Sequence, residues 1–307
     1  MNRSQALLAA RHHLVFMLGL LASSGLILAL DKLDTKPNVA GYAPIAISAV
    51  TVPGPEPLAE AELAQARTAW RYFQNNTQPT GLVNSVDKYP AATVWDSASY
   101  LLALISARRL GIIDEAEFDS RTAKVLDAFL AMPLYEGKLP NKSYNTQTLA
   151  MVDYANQAAP AGIGWSAIDL ARVLVPLNIL VWDYPQHTAQ VRAVLARWDF
   201  SAMARDGVMQ GAQRNDKGTV LVQEGRLGYE QYAAKSLLLM GLDVHAAAQW
   251  QPFLRYETIY ALQVPVDRRD PAEYHAHNYV LSEPYVLDGL EFGFDTVSRE
   301  FAHRVYA

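Results

Sequence analysis

The sequence predicts an all-α fold made of stacked helical hairpins. From residue 58 onward, apolar side chains recur at helical spacing through segments of about 12 to 20 residues. Short and long connections alternate between these segments, and the long ones carry most of the polar and aromatic side chains. A helical scaffold displays a binding site through loops on one side in this way. The sequence shows no strict period, so it does not predict a short-motif repeat array.

Length, charge and cysteine content exclude several classes of protein. The 307 residues carry a net charge of −5 and include no cysteine. They suffice for one large domain with a sizeable core. Because there is no basic surface, we expect no nucleic-acid partner. The lack of cysteine excludes disulfides, zinc–thiolate sites and cysteine nucleophiles. P-loop, dinucleotide and G-x-S-x-G signatures are also missing, and we expect no cofactor.

The N-terminal segment predicts a signal anchor over residues 1–31. Residues 14–30, "LVFMLGLLASSGLILAL", form an uncharged run near the lower length limit for a transmembrane helix. Arg3 and Arg11 precede the run, which favours a cytoplasmic N-terminus and export of the remaining chain. The alternative is a cleaved signal peptide, although "LAL" before Asp31 is a poor cleavage site.

Two further regions follow the anchor. Residues 32–57 hold five prolines and little charge, which predicts a Pro-rich linker or a strap along the domain. Residues 58–307 form the predicted helical domain. Its last residues, "SREFAHRVYA", still have a helical pattern without a cap. We therefore expect the domain to be truncated at its C-terminal end.

The helices are predicted from their apolar faces and their ends. The first covers roughly 58–76. The others are expected over 94–111, 114–132, 164–183, 187–199 and 226–242, followed by a final pair after residue 281. Gly111 occupies a C-cap position, and Ser166 or Trp165 lies near the start of its helix. Residues 206–225 predict a β-hairpin, and residues 256–270 predict an extended segment.

Several motifs together resemble a known family. "PTGLVNSVDKYPAATVWDSASYLLALISARRLGII" resembles the opening of bacterial glucoamylase-like proteins, which include the endo-β-1,2-glucanase group. "LPNKSY", "GWSAIDLARVL", "EGRLGYEQYAA" and "SEPYVLDGLEFGF" look still more like an uncharacterised bacterial envelope domain of the same six-hairpin superfamily. The resemblance covers roughly residues 58–295 and implies an (α/α)6 toroid. It also implies glycan hydrolysis or glycan binding, by a domain that often follows an N-terminal membrane segment.

Glu224 and Glu230 are the predicted catalytic pair. Glycoside hydrolysis needs two carboxyl groups, one of which is protonated at the working pH. Gly225 and Gly228 leave space for a ligand between the two glutamates. In the endo-glucanase relatives a glutamate of a comparable segment is the suspected acid, and Glu230 looks like its match. The alternative is that both glutamates are structural: Glu224 forms an ion pair with Arg226, and Glu230 stabilises the N-terminus of a helix through the helix dipole.

Further side chains are predicted to bind the saccharide. We expect Trp95, Tyr229 and Tyr232 to supply sugar-stacking faces or cleft walls. The remaining candidates are Asp96, Trp165, Asp169, Glu283 and Tyr285. Core packing is the alternative for Trp165. An ion pair between Asp169 and Arg172, three residues apart, is the alternative for Asp169.

The remaining charged residues of note are expected to be structural. Asp267, Arg268, Arg269 and Asp270 suggest a solvated cluster of ion pairs. We expect Asp288, Glu291 and Asp295 on a helix surface or in a C-terminal turn. His275 and His277 share a face only in a strand and have no third ligand at a suitable spacing, so we predict no metal site.

These observations predict a membrane-anchored, periplasm-facing glycoside hydrolase-like protein. Its partners would be an oligo- or polysaccharide, such as a glucan or exopolysaccharide, and the inner membrane through the N-terminal helix. The alternative is a non-catalytic glycan-binding or scaffold domain of an envelope polysaccharide system. A terpenoid-cyclase-like function is disfavoured because the sequence has no D-x-D-D string.

Overall fold

The computed structural model of the protein describes residues 11–33, 45, 47–48, 51–52, 54, 56–274 and 280–307. The chain divides into two compact units, Met1–Tyr42 and Ala43–Ala307. In the first unit, helix α1 covers Arg11–Leu33 and contains the predicted hydrophobic run. Among the residues described, no helix combines the length and apolarity that crossing a membrane requires. Most of the linker 32–57 and both His275 and His277 lie outside the described residues.

The second unit is built on helices that match the predicted segments to within a few residues, apart from the four-residue helix Pro271–Tyr274, which the sequence did not predict. These are α2 Glu60–Asn76, α3 Val94–Arg109, α4 Glu115–Ala131, α5 Ala167–Asp183, α6 Thr188–Leu195, α7 Tyr229–Leu239, α8 Pro271–Tyr274, α9 Glu283–Phe292 and α10 Thr296–Tyr306. Two short 3₁₀ turns, Pro185–His187 and Phe200–Met203, flank α6. The predicted order of helices is confirmed.

The prediction of an all-α fold is confirmed only in part, because helices dominate the chain but the long connections form small antiparallel sheets. The strands are β1 Ala91–Thr93, β2 Leu134–Tyr135, β3 Leu139–Pro140, β4 Ser143–Asn145, β5 Met151–Val152, β6 Ala204–Arg205, β7 Val208–Asn215, β8 Gly218–Gln223, β9 Leu254–Ile259 and β10 Leu262–Asp267. They pair as β1-β4-β5, β2-β3, β6-β7-β8 and β9-β10. Pairing satisfies the backbone groups of these connections locally. The hairpins β7-β8 and β9-β10 confirm the two predicted extended regions.

The helices pack in two layers. Helices α3, α5, α7 and α9 contact one another in that order, and α4 and α6 pack behind α3 and α5. The connections 110–114 and 184–187 are short, whereas 77–93, 132–166 and 196–228 are long. The long connections therefore lie at one end, where α3, α5 and α7 begin. The closed ring of six hairpins stays a prediction.

Local capping explains where several of these helices begin. Thr93 accepts a hydrogen bond from the Asp96 N–H, and the Asp96 carboxylate accepts the Thr93 N–H at 2.9 Å. Ser166 accepts the Asp169 N–H at 3.1 Å and so confirms the predicted start of α5. Ser282 occupies the N-cap position of α9, but its side chain makes no capping hydrogen bond.

The start of α5 is fastened to strand β7. Ala212 N–H donates to the Trp165 carbonyl at 2.9 Å, and Arg214 N–H donates to the Ile163 carbonyl at 3.2 Å. Gly164 lies between these bonds with a φ of +119°, and a Cβ there would lie 1.9 Å from the Ala212 carbonyl oxygen. Only glycine allows this approach of the two backbones.

We expect Gly164→Ala to destabilise the fold far more than Gly218→Ala. The two glycines have nearly the same φ, +119° and +117°, but a Cβ at Gly218 would meet no atom within 4 Å. Gly218→Ala should therefore cost only the backbone strain, about 1–2 kcal/mol. Gly164→Ala adds a clash between backbones and should cost at least about 2 kcal/mol more. Urea unfolding of the two variants measures the difference; equal losses would contradict the close packing.

Candidate active site

The first turns of four helices meet around a pocket of about 280 Å³. Its lining residues are Trp95, Ser166, Ile168, Asp169, Tyr229 and Glu283. They come from the starts of α3, α5, α7 and α9. Four of them, Trp95, Asp169, Tyr229 and Glu283, are residues that the sequence predicted for the site. The positive ends of four helix dipoles therefore lie near this pocket and favour acidic groups in it.

Asp169 is the enclosed carboxyl group of the pocket. Its Oδ1 accepts a hydrogen bond from the Ser166 hydroxyl at 2.9 Å. Burial and, to a lesser extent, the nearby Glu224 carboxylate raise the pKa of Asp169 to about 7, although the hydrogen bond from Ser166 opposes the rise. A carboxyl group with this pKa is divided between its protonated and ionised forms near neutral pH. Asp169 can therefore both donate and accept a proton there.

Glu224 lies behind Asp169, at the N-terminus of α5. Its Oε2 accepts hydrogen bonds from the Ala167 N–H and, at 3.3 Å, from the Ile168 N–H. Burial raises the pKa of Glu224, although the positive charge of Lys142 and these backbone donors oppose the rise. Gly211 leaves the necessary space, since a Cβ there would lie 2.9 Å from the Glu224 carboxyl carbon. Glu224 thus satisfies orphan donors of α5 and places negative charge beside Asp169.

One wall of the pocket is aromatic. The Trp95 and Tyr229 rings meet edge to face, with their centroids 6.0 Å apart. The Arg172 guanidinium lies 4.1 Å from the Trp95 ring centroid and supports the ring from the protein side. The Tyr229 hydroxyl donates to the carboxylate of Glu283, which is exposed at the pocket mouth. The wall therefore combines an apolar face with a carboxylate, as a sugar-binding surface requires.

A buried ion pair forms the floor beneath this wall. Arg172 donates to Glu291 at 3.3 Å and to the Ser99 hydroxyl at 2.7 Å, and the Tyr232 hydroxyl donates to Glu291. The expectation that Glu291 lies on a helix surface is wrong, because its side chain is only 5% exposed. The alternative of an Asp169–Arg172 ion pair is wrong as well, because Arg172 pairs with Glu291 from α9.

Glu230, predicted as the acid, lies outside the pocket. Its side chain is fully buried, and it accepts hydrogen bonds from Arg269 and from the Gln223 side-chain amide, both at 2.6 Å. Burial raises its pKa, and the hydrogen bond from Arg269 lowers it. A carboxylate held by an arginine and closed off from solvent cannot reach a substrate. The structure therefore argues against Glu230 as a catalytic residue and gives it a structural role.

The structure also argues against contacts between the saccharide and three of the predicted aromatic residues. Trp165, Tyr232 and Tyr285 are each no more than 2% exposed. The Trp165 Nε1–H donates to the Gln210 carbonyl at 3.0 Å, and Tyr285 packs in a second core with Phe301. All three pack in the protein interior, because burying a large ring stabilises the core more than exposing it.

Asp96 is partly exposed but does not line the pocket. Its carboxylate accepts hydrogen bonds from the Thr93 N–H at 2.9 Å and the Thr93 hydroxyl at 2.8 Å. This capping box fixes the start of α3, on which Trp95 lies. Asp96 therefore helps to position the helix start that carries the aromatic wall. Its hydrogen bonds do not support the prediction that it contacts the saccharide.

Several charged side chains that the sequence predicted to be exposed to solvent are buried. Asp267 and Arg269 are 3% and 9% exposed, and Arg269 Nη2 lies 2.5 Å from Asp267. Burial raises the pKa of Asp267, but hydrogen bonds from Arg269 outweigh it and the net pKa is lowered. Asp288 is buried against Lys235 and Ser298, and Asp295 caps α10 by accepting the Val297 N–H at 2.7 Å.

Sequence reasoning did not single out Tyr154 and Lys142. Tyr154 lies in the loop after β5 and is 66% exposed. Partial burial and the charges of Asp169 and Glu224 together raise its pKa to about 12. Both carboxylates therefore keep the Tyr154 phenol neutral, and the positive charge of Lys142 lowers the pKa of Glu224. Both residues come from turn-rich segments without periodicity, so no sequence signal placed them at the site.

The described residues contain no group of three His, Asp or Glu side chains that could hold a metal ion. The arrangement instead offers two acidic side chains to a ligand, Asp169 and Glu283, beside the Trp95 and Tyr229 rings. Such a pocket can bind a hydroxyl-rich ring and transfer a proton to or from it.

Asp169→Asn should change how the stability of the protein depends on pH. Because the pKa of Asp169 rises from 3.8 to about 7 on folding, its favourable contribution is complete at acidic pH and is lost as the pH rises toward 7. The full loss is roughly 4 kcal/mol, since one pKa unit is about 1.4 kcal/mol. The amide avoids this loss. The variant should therefore gain about 3 kcal/mol relative to the wild type between pH 5 and pH 8.

Urea unfolding of the full chain at both pH values measures this gain. Asp216→Asn is the matched control, because it makes the same change at an exposed hairpin turn. A variant at Asp169 that is less stable than the wild type at pH 8 would show that the ionised carboxylate is favoured in the fold.

Three solved structures are similar to this chain, each of a "putative glucoamylase": from Bacteroides uniformis, Bacteroides fragilis and Bacteroides caccae. They share 14%, 12% and 12% sequence identity with it, with TM-scores of 0.48, 0.45 and 0.46. The likeness covers 70%, 70% and 66% of this chain, which spans 57%, 57% and 55% of those chains. None of the curated proteins matches the chain.

A family model also matches, over residues 64–307. The match begins in α2 and extends to the last residue, so it includes every residue of the pocket. The description of this family is "Protein of unknown function (DUF3131)". Since the model matches well over half of the chain, the protein belongs to the DUF3131 family.

Proposed function

We propose that the protein is a glycoside hydrolase-like enzyme that cleaves a glucan or exopolysaccharide in the pocket of Asp169. The observation that carries the proposal is the place of the Asp169 carboxyl group in an aromatic-walled pocket, where burial and the Glu224 carboxylate raise its pKa to about 7. A glycosidase acid must be protonated at working pH and must reach the glycosidic oxygen. Asp169 meets the first requirement through its burial and the second through its place in the pocket lining.

Glu283 supplies the second carboxylate. Glycoside hydrolysis needs a carboxylate on the other side of the scissile bond, as a base for water or as a nucleophile. Glu283 lines the same pocket from α9, whereas Asp169 comes from α5. It is exposed and accepts a hydrogen bond from the Tyr229 hydroxyl, which holds it beside the aromatic wall.

Glu224 acts on the reaction through Asp169. Its carboxylate is occupied by two backbone N–H groups of α5, so it is held in one position. Its charge raises the pKa of Asp169. The predicted catalytic pair Glu224 and Glu230 is therefore replaced by Asp169 and Glu283, with Glu224 as a positioning residue.

We expect Asp169→Asn to reduce the release of reducing ends at least about 100-fold, because it removes the proton donor. The assay presents the full chain with β-linked glucans and acidic exopolysaccharides and measures new reducing ends. Asp216→Asn, at an exposed turn, should keep wild-type activity. Saccharide binding without new reducing ends from the wild type would instead support a non-catalytic glycan-binding or scaffold domain. Full activity of Asp169→Asn would exclude Asp169 as the acid.

The second part of the proposal concerns location. We propose that residues 14–30 anchor the chain in the inner membrane with the catalytic unit in the periplasm. The supporting observations are the uncharged run and the arginines before it.

The location is tested by expressing the full chain in a Gram-negative bacterium. We expect the chain to remain in the membrane pellet after alkaline extraction, at its full mass, and to be digested by protease added to spheroplasts. A soluble periplasmic chain that lacks its first residues would support the cleaved signal peptide. A protease-resistant chain in spheroplasts would contradict export.

A further inference from the structure

A second pocket, of about 570 Å³, lies between the end of α2, the loop that follows it and the helix α4. We call it the α2–α4 pocket. Its lining residues are Gln74, Thr77, Gln78, Pro79, Gly81, Tyr100, Glu117, Ser120, Arg121 and Lys124. It shares no lining residue with the candidate active site and has about twice that pocket's volume. The two pockets are therefore separate sites.

Arg121 lines this pocket and is held in place by several contacts. Its Nε donates to Glu117 Oε1 at 2.8 Å, and its Nη1 donates to the Thr77 hydroxyl at 3.1 Å and to the Tyr100 hydroxyl at 3.3 Å. Its guanidinium also lies 5.3 Å from the Trp70 ring centroid. No residue described by the structure accepts a hydrogen bond from Nη2. A preorganised guanidinium with an available N–H group is suited to binding a carboxylate or a phosphate.

Three more polar side chains of the pocket are available to a ligand. Gln74, Ser120 and Lys124 are exposed, and their side chains form no hydrogen bond with any described residue. Lys124 adds a second positive charge to that of Arg121, against the single carboxylate of Glu117. The pocket therefore offers a net positive charge together with amide and hydroxyl groups. This combination recognises a molecule that carries both hydroxyls and a negative charge.

The loop that contains Gly81 packs closely against the backbone of Lys124. Gly81 has a φ of +95°, and a Cβ there would lie 2.7 Å from the Lys124 carbonyl carbon. Thr80 in the same loop donates a hydrogen bond from its hydroxyl to the Thr146 carbonyl at 2.5 Å. The loop is thus packed directly on α4 and fixed from its other side. A rigid wall of this kind lowers the entropic cost of binding a ligand.

We propose that the α2–α4 pocket binds a saccharide unit that carries an anionic group, a carboxylate or a phosphate. Arg121 and Lys124 would contact the anionic group, and Gln74 and Ser120 would contact hydroxyls. The proposal does not depend on hydrolysis at Asp169, since no residue is shared between the pockets. In the full protein this site would hold an acidic polymer while another part of it occupies the candidate active site.

The test measures binding of trigalacturonate to the full chain by isothermal titration calorimetry. The fully methyl-esterified trimer is the matched ligand, because it has the same rings without the charges. Glucose 6-phosphate is the second probe and separates a phosphate source from a carboxylate source. We expect the charged trimer or the sugar phosphate to bind at least about tenfold more tightly than the methyl ester, with an affinity that falls as salt is added.

Lys124→Gln should weaken binding of the charged probe about fivefold or more, and Arg121→Lys should do so as well, because lysine lacks the planar fork. Lys217→Gln is the matched control, since it removes an exposed lysine in the turn between β7 and β8. It should leave binding unchanged. Equal binding of the methyl ester, no binding of either anionic probe, or wild-type affinity in Lys124→Gln would each overturn the proposal.

Discussion

The hydrogen bonds between the Glu224 carboxylate and the first N–H groups of helix α5 are the interaction on which the site depends. A helix start leaves N–H groups without partners, and a carboxylate is the group that its dipole favours most. Glu224 follows directly on β8, so this contact joins the β7-β8 hairpin to the helix that carries Asp169. The same charge then raises the pKa of Asp169. One contact thus fixes a backbone and adds to the effect of burial on the pKa of Asp169.

The contact between Glu224 and α5 depends on residues that leave space for the carboxyl group and on residues that hold the adjacent backbone in position. Gly211 leaves room for the Glu224 carboxyl group, because any larger side chain on β7 would occupy that space. On the other side, the Gln223 side chain donates to the Glu224 carbonyl at 3.0 Å and to Glu230 at 2.6 Å. Arg269 completes the chain of contacts by pairing with Glu230. Glu230 therefore affects the site through the backbone that carries Glu224, without touching a ligand.

The parts of this structure that the sequence predicted well are those determined locally. Ser166 caps α5 through contacts within three residues, and the β7-β8 hairpin turns within a few residues. The parts that could not be predicted join residues far apart in the chain. Arg172 pairs with Glu291, 119 residues later, although Asp169 is closer in sequence. Which partner an arginine takes depends on how helices pack, and no periodicity in one sequence records that packing.

The same reasoning explains why the catalytic prediction shifted from Glu230 to Asp169. Both lie in the first turn of an inner helix, so spacing alone could not separate them. They differ in what faces them: an arginine meets Glu230, whereas Asp169 meets a second carboxylate and a serine hydroxyl. A neighbouring cation lowers the pKa of a buried acid, whereas a neighbouring carboxylate raises it. Keeping Asp169 in that environment costs folding free energy, and such a cost is expected where a protein needs a proton donor.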